Sequence, residues 1–455
     1  MKIKDLMKQQ RNFYRAGKTR PYAYRLRMLK RLEMAIRTHE KEIAKALFDD
    51  LHKAPMEAYM TEIGLALSEL DFAKKHLKEW MKQRLVPTPL AQFPARSYVL
   101  PEPYGVVLIM APWNYPFLLT IDPLIGAIAA GNCCVLKPSA YAPHTAAVIK
   151  RLLGEVFPEK YVAVVEGGRS ANQELLDEKF DYIFFTGGKT VGRLVMEKAA
   201  VHLTPVTLEL GGKSPCIVAA DAEVDLAAKR IVFGKFINSG QTCVAPDYVL
   251  VQENVYQPFL HSLKKWISIF LGSQPLKCPS YPRMINQKHY RRVMEYCKSG
   301  IVFTGGTGDE ASLQIAPTVL TDVKWTDPVM EEEIFGPILP VLPFGSGREV
   351  ISLLKSRERP LALYLFTKDL SLQRKILKNI SFGGGCLNDT LVHLSSPYLA
   401  FGGVGESGMG SYHGEKSFAT FSHEKSVMVR GRLDIPIRYQ PYTKGKEWWI
   451  RRFLR

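Results

Sequence analysis

From residue 105 onward the chain alternates short, nearly continuous apolar runs with longer stretches of helical spacing, and this rhythm narrows the fold more than any other feature. The runs fall at 105–110, 133–137, 162–166, 181–186 and 206–210. A strand that is apolar at almost every position has no face to offer water, so its sheet must be covered on both sides. That is the pattern of a parallel sheet with crossover helices, and the expected fold class is α/β. Such sheets take ligands beyond the carboxyl ends of their strands. Here those ends read Pro112-Trp113-Asn114, Lys137-Pro138-Ser139, Glu166-Gly167-Gly168, Thr186-Gly187-Gly188 and Glu209, all polar or glycine-rich as a binding rim requires.

The alternation resumes after residue 211, with strands expected at 216–219, 248–251, 301–303, 334–342 and 361–366 and helices at 225–236 and 256–270. A chain of 455 residues is too long for one ordinary core, so this second half is expected to form another α/β domain on a similar plan. Ahead of residue 105, Leu29, Leu32, Ile36, Ile43, Leu47 and Leu51 predict one helix over 25–51, and Pro55 opens a second that runs towards Trp80. Residues 85–103 carry Pro87, Pro89, Pro94, Pro101 and Pro103 around short Val, Leu and Tyr pieces, which suits an extended arm outside any central sheet.

A net charge of +17 admits nucleic acid, membrane surface or anionic ligands. Much of it lies at the ends, where the basic residues before Arg37 fit the wet face of an amphipathic helix. The tail Lys444-Gly-Lys-Glu-Trp-Trp-Ile-Arg-Arg-Phe-Leu-Arg455 mixes aromatic and basic residues. It reads as a docked terminal segment or as a point of weak peripheral membrane contact. There is no nucleic-acid motif. No run of about eighteen apolar residues and no signal-peptide pattern is present, so a cytoplasmic protein is expected. Seven scattered cysteines without CxxC spacing argue against a disulfide framework and against a metal site.

Three glycine motifs resemble phosphate loops. Gly211-Gly-Lys-Ser214 lacks the required earlier glycine, since Thr207 stands there. Gly403-Val-Gly-Glu-Ser-Gly408 has the GxGxxG spacing, but no strand leads into it, and a turn-rich loop is expected. Gly187-Gly-Lys-Thr-Val-Gly192 follows a strand and opens a helix, where exposed backbone amides can hold a pyrophosphate. Separately, residues 234–246 deliver Cys243 from a segment of small and polar residues. Taken alone, Cys243 is equally one of seven ordinary cysteines, and Glu209 a strand-end carboxylate meeting a lysine.

Larger motifs change that balance. Ala111-Pro-Trp-Asn-Tyr-Pro116, Gly131-Asn-Cys-Cys-Val-Leu-Lys-Pro-Ser139, Phe185-Thr-Gly-Gly188, Leu208-Glu-Leu-Gly-Gly-Lys-Ser-Pro215, Gly240-Gln-Thr-Cys243, Glu332-Glu-Ile-Phe-Gly-Pro337 and Phe401-Gly-Gly-Val-Gly405 follow one another along the chain. Together they resemble the signatures of the NAD(P)-dependent aldehyde dehydrogenase superfamily. The amino-terminal region and residues 405–418 are most similar to its class 3 branch, which includes dimeric and fatty-aldehyde enzymes. The resemblance implies two doubly wound α/β domains, one of them a Rossmann-like cofactor domain, plus a small β oligomerisation arm. It assigns 1–85 and 105–212 to the cofactor domain, 213–420 to the catalytic domain, and 86–104 with 421–455 to the arm and tail of a homodimer.

The resemblance also assigns roles. Cys243 is the nucleophile that forms a thiohemiacetal and then a thioester. The Asn114 side-chain amide and the Cys243 backbone N–H hold the oxyanion. Glu209 activates water, and its presence favours hydrolysis over transfer to coenzyme A. Lys137 falls on the adenosine ribose, Gly187, Gly188, Lys189, Thr190, Val191 and Gly192 near the pyrophosphate, Glu333 on the nicotinamide ribose and Phe335 against the nicotinamide. Many family members carry a glutamate where this chain has Ala140, so a 2′-phosphate meets less repulsion and use of both NAD and NADP is expected. Apart from the resemblance, Tyr115, Phe236 and Ile237, which flank the motifs, and residues 391–398 are candidates for an apolar tunnel and equally for core positions; as a tunnel they favour aliphatic medium- or long-chain or aromatic aldehydes. Two other classes remain: a cysteine acyl-transfer enzyme using His202 or His393 as base, and a non-catalytic binding or structural protein on a dehydrogenase fold.

Overall fold

Val106–Met110 and Cys133–Lys137 are buried at every position, which is why their apolar runs become neighbouring central strands. In the computed structural model, which describes residues 2–454, they belong to a six-stranded sheet. Its order is Gly408–Met409, Val206–Leu210, Tyr182–Gly187, Val106–Met110, Cys133–Lys137 and Val162–Val164. All neighbours are parallel except the first pair.

A seven-stranded sheet runs Ile301–Thr304, Thr318–Thr321, Ile338–Phe344, Tyr248–Gln252, Pro215–Val218, Ala362–Phe366 and Gly384–Leu387. It too is parallel except for its first pair. The third sheet is antiparallel and joins Arg84–Val86, Ala95–Pro103 and Ser422–Arg430. Its proline-bearing strand pairs along its whole length with Ser422–Arg430, from Pro103↔Ser422 to Ala95↔Arg430. Leu85, Leu90, Phe93, Met428 and Val429 stand exposed on and beside it.

Several expectations need correction. The helix expected over 25–51 is two helices, Tyr22–Thr38 and Glu40–Leu51, broken at His39. His39 leaves helical geometry at φ −101° and ψ 14°, and its ring reaches Glu42 and Glu155. The helix opened by Pro55 is interrupted as well. Pro55–Ala58 passes into a π-helical turn, Tyr59–Ile63, before Gly64–Trp80. The strand expected from residue 334 begins only at Ile338, because Phe335 has a φ of +49° that no strand accommodates. The glycine segment at 403–408 is a short turn, as its composition suggested, and it continues into a two-residue strand against Leu208 and Glu209. At the carboxyl end, Lys444–Phe453 forms a helix with Trp448, Trp449 and Phe453 exposed. Among the described residues no helix is long and apolar enough to cross a membrane.

Candidate active site

A cavity of about 800 Å³ lies between the carboxyl ends of the six-stranded sheet, which bring Asn114, Gly187 and Glu209, and the segments leading into strands of the seven-stranded sheet, which bring Lys213, Val244, Phe335 and Leu361. Asn114 follows Val106–Met110, Glu209 stands within Val206–Leu210, and Cys243 lies in the loop after the turn Ile237–Gly240. All three line the cavity, as do Gly187, Gly188, Lys189, Thr190, Glu333 and Phe335. Lys137, Val191 and Gly192 do not. Lys137 is buried and its Nζ donates to the Pro138 carbonyl at 2.8 Å. Val191 faces outward, 40 % exposed, and a Cβ at Gly192 would meet the Leu210 side chain at 2.8 Å. Lys189 is engaged by Glu358.

The Cys243 loop is shaped by three successive left-handed residues, Asn238, Ser239 and Gly240, with φ of 51°, 54° and 74°. Asparagine tolerates this region, and Gly240 has a further reason to lack a side chain, since a Cβ would stand 2.3 Å from the Gly336 carbonyl oxygen. The backbone amides of Cys243 and Val244 favour the thiolate. Burial, followed by the charges of Glu333 and Glu209, nevertheless pushes the thiol well above its ordinary range. Cys243 keeps partial exposure and lines the cavity.

Asn114 is buried, and its Nδ2 donates to the Gln241 carbonyl at 3.0 Å, leaving the amide's second proton for the cavity. Glu209 is different: it is buried, and neither carboxylate oxygen has a hydrogen-bond partner. Desolvation therefore raises its pKa well above the usual carboxylate value. Glu333 approaches the backbone so closely that a Cβ on Gly211 would sit 1.8 Å from its Oε2. Burial, with the charge of Asp247, pushes Glu333 up to about 8, while the Gly212 N–H opposes that rise.

The phosphate-loop candidate opens the helix Lys189–Val201, with Gly188 at its N-cap. No side chain caps that end and no acidic residue occupies its first turn, so its backbone amides are free for an anion. A Cβ on Gly188 would meet nothing within 4 Å, so the backbone is open to close approach. An anion cradle, the Glu333 carboxyl and the Phe335 ring along one continuous cavity fit a nicotinamide dinucleotide.

The histidines considered as partners for Cys243 are placed elsewhere. His393 Nδ1 lies 3.4 Å from the sulfur of Cys386, and His202 caps the far end of Lys189–Val201. Of the tunnel candidates, Tyr115 and Ile237 line the cavity with much of 391–397, whereas Phe233 takes the place expected of Phe236 and Tyr398 packs edge-on against Phe72. The sequence did not single out Met60, Leu65 and Glu69, which reach the cavity from the π turn and the helix after it, nor Tyr412 and His413. Asp122 stands inside the fully buried helix Leu118–Ala130. Its Oδ2 lies 3.5 Å from His413 Nε2, and its Oδ1 has no partner. Glu69 accepts the Gly414 N–H at 2.7 Å. Burial pushes Glu69 up to about 7 and Asp122 well above its ordinary value, and lowers His413 to about 4.

Comparison with known proteins agrees with this construction. Residues 1–427 match the aldehyde dehydrogenase family. The chain is 48 % identical to 4,4'-diaponeurosporen-aldehyde dehydrogenase of Staphylococcus aureus (strain NCTC 8325 / PS 47), covering 97 % of each chain. It is 45 % identical to the dimeric NADP-preferring aldehyde dehydrogenase of Canis lupus familiaris, covering 97 % of this chain and 98 % of that one. Against the solved substrate-bound state of Staphylococcus aureus AldH, the TM-score is 0.97 at 46 % identity, covering 100 % of this chain and 99 % of the other. With its whole architecture and nearly all its length matched, the chain belongs to the aldehyde dehydrogenase family and is an enzyme that oxidises aldehydes.

Proposed function

We propose that the chain oxidises apolar aldehydes, aliphatic of medium or long chain or aromatic, to carboxylic acids with Cys243 as nucleophile and Glu209 as base. The observation that carries this reading is Glu209, a buried carboxylate with both oxygens unpaired on the wall of the cavity that Cys243 also lines. A thiol raised by burial attacks only after losing its proton, so it needs an acceptor. Glu209 is free to take it. Sulfur then bonds the aldehyde carbon, and the Asn114 amide and the Cys243 N–H receive the oxyanion; a donor of this kind supplies about 3 kcal/mol. A nicotinamide dinucleotide, when bound, supplies the acceptor for the electron pair and hydrogen that leave the aldehyde carbon. Gly187, Gly188 and Thr190 would cradle its phosphates, Glu333 its ribose hydroxyls, and Phe335 would orient its ring. Once that first proton has passed to solvent, Glu209 takes another from water attacking the Cys243 thioester; the Cys243 thiolate leaves and the acid is freed.

The assay mixes protein, NAD and a medium-chain aldehyde and follows the absorbance of the reduced cofactor. Turnover in the wild type and none in Cys243→Ala is expected. Absence of turnover with every aliphatic and aromatic aldehyde would overturn the substrate reading.

Exposed Ala140 leaves room beside the ribose end, so NADP is accepted along with NAD, and kinetics without NADP turnover would remove that part. The six-stranded sheet favours assigning 105–212, with the helices of 1–85 packed on it, to cofactor binding, and the seven-stranded sheet favours assigning 213–387 to catalysis; of the expected catalytic range 213–420, Gly408–Met409 instead pairs with Val206–Leu210 in the first sheet. The exposed apolar residues of the arm, at 86–104 and 421–455, favour a homodimer, which sedimentation would reveal. Weak membrane contact by Lys444–Phe453 has only the exposed Trp448 and Trp449 behind it, and co-sedimentation with anionic vesicles is its test.

A further inference from the structure

Behind the Asn114 loop lies an ion pair that the chemistry above does not use. Lys53 and Glu62 are both 0 % exposed, with Nζ and Oε1 2.6 Å apart. Buried pairs contribute little net stability, because desolvation offsets their attraction. What this pair holds is therefore informative. Lys53 Nζ also donates to the Asn114 carbonyl at 3.0 Å and sits 3.9 Å from the centre of the Tyr115 ring. The other oxygen of Glu62 accepts the N–H groups of Phe117 and Leu118 at 2.9 and 3.1 Å. The loop from Asn114 to the next helix is thus gripped along its length from one side.

The same carbonyl is held from the other side. Asn238 Nδ2 donates to Asn114 O at 2.7 Å and to Gln241 O at 3.1 Å, and Gln241 O is also the acceptor of the Asn114 side-chain amide. Asn238 is itself fixed by its backbone N–H, which donates to Glu57 Oε1 at 2.9 Å. One step further on, Tyr115 Oη and Thr242 Oγ1 are 2.6 Å apart. Lys53, Glu62 and Asn238 do not line the cavity, so they meet neither substrate nor cofactor there. Their contact is with the backbone that aims Asn114. The π turn explains how one short segment does two jobs: Met60 and Thr61 line the cavity while Glu62, in the same turn, is fully buried.

We infer that Lys53 and Asn238 are positioning residues for aldehyde oxidation, clamping the Asn114 carbonyl so that its side-chain amide meets the oxyanion at a fixed angle. The inference rests on the reading of Asn114 as the oxyanion donor. A displacement of about 1 Å in such a group costs on the order of 10²-fold in rate, comparable with losing the donor.

The test is a double-mutant cycle on the full chain. Lys53→Met/Glu62→Gln removes the clamp while keeping an acceptor for the Phe117 and Leu118 N–H groups, and leaves Glu57 as the one neighbouring carboxyl that loses the Lys53 charge, with the Asn238 N–H still on it. Asn238→Gly removes the second clamp and suits the left-handed backbone. Each is measured alone and combined with Asn114→Ala, for kcat, aldehyde KM and thermal unfolding. With Asn114 present, kcat is expected to fall roughly 10- to 100-fold with aldehyde KM within about threefold. With Asn114→Ala, the same changes are expected to cost less than about twofold, since the amide they aim is gone. Equal losses in both backgrounds, or no loss with Asn114 present, overturn the inference. Asn238→Gly decides the matter if the Lys53 variant does not fold. Full activity of Asn114→Ala alone would instead strike the oxyanion reading beneath it.

Discussion

The two ends of the cavity are built in opposite ways. At the proposed cofactor end backbone supplies Gly187, Gly188, the uncapped helix start after them and the Gly211-Gly212 turn against which Glu333 rests, with the Glu333 and Phe335 side chains beside them. At the aldehyde end the surface is side chain, contributed by helix faces and a late loop: Met60, Leu65, Glu69, Asp122 and His413. Backbone amides carry fixed partial charges and hold a phosphate whatever the side chains beside them. Side-chain walls set shape and polarity and can be altered singly. The contrast implies one cofactor chemistry at the first end and a tunable substrate range at the second.

Cys243→Ala probes the junction of the two ends and carries the largest expected effect, a loss of about 10⁴-fold or more in kcat. Rapid-quench detection of an acyl-enzyme in that variant would contradict the division. Next is Glu209→Gln. General-base removal costs about 10²- to 10⁴-fold, and an accumulating thioester seen by intact-protein mass spectrometry is expected with it. Glu333→Gln belongs to the cofactor end alone. It is expected to raise cofactor KM about tenfold while leaving aldehyde KM within about twofold; a reversed split would erase the contrast.

The smallest effect is in pH dependence. Glu69, raised by burial to about 7, is protonated below that value and ionised above it. Its folded pKa exceeds the unfolded one, so between about 4.5 and 7 the folded state holds more protons and the group's contribution to stability falls as pH rises. Asp122, raised by burial and by the nearby Glu69 charge, and His413, neutral above about 4, face the same space. Ionisation at the apolar end should raise KM for a long aldehyde about threefold between pH 6 and 8. Glu69→Gln should flatten that profile, and a profile unchanged by it would remove Glu69 from the aldehyde end.

What could be read beforehand follows the same division. The proposed cofactor end includes a contiguous glycine segment between a strand and a helix, so Gly187 and Gly188 stand out by spacing, whereas Glu333 rests on the family resemblance alone. The aldehyde end is assembled from distant segments, and on a helix Leu65 and Glu69 look like any core or surface position. Asp122 was the one available signal, a carboxylate inside Leu118–Ala130, a helix buried at every position. The strands also divide by pattern. Val106–Met110 announced itself, whereas Gly384–Leu387 carries two glycines and one apolar run too short to notice, and lies in the sheet because Ala362–Phe366 offers it an edge. The break at His39 was invisible because apolar spacing continues on both sides of it. Lys53 and Glu62 carried no sequence signal at all, since only three-dimensional closure of the Asn114 loop brings them together.

The strand that carries Glu209 is bordered on one side by Tyr182–Gly187 and on the other by Gly408–Met409, which comes late in the chain. During synthesis that outer border is absent until the last part of the polypeptide has emerged, and the strand's unpaired backbone is then open to other chains. Ser422–Arg430, which completes the antiparallel arm, arrives later still. The final stretch of the polypeptide thus acts as a seal: a ribosome that stalls before residue 408 leaves a nearly complete sheet with its catalytic edge open, a natural target for chaperones and for aggregation.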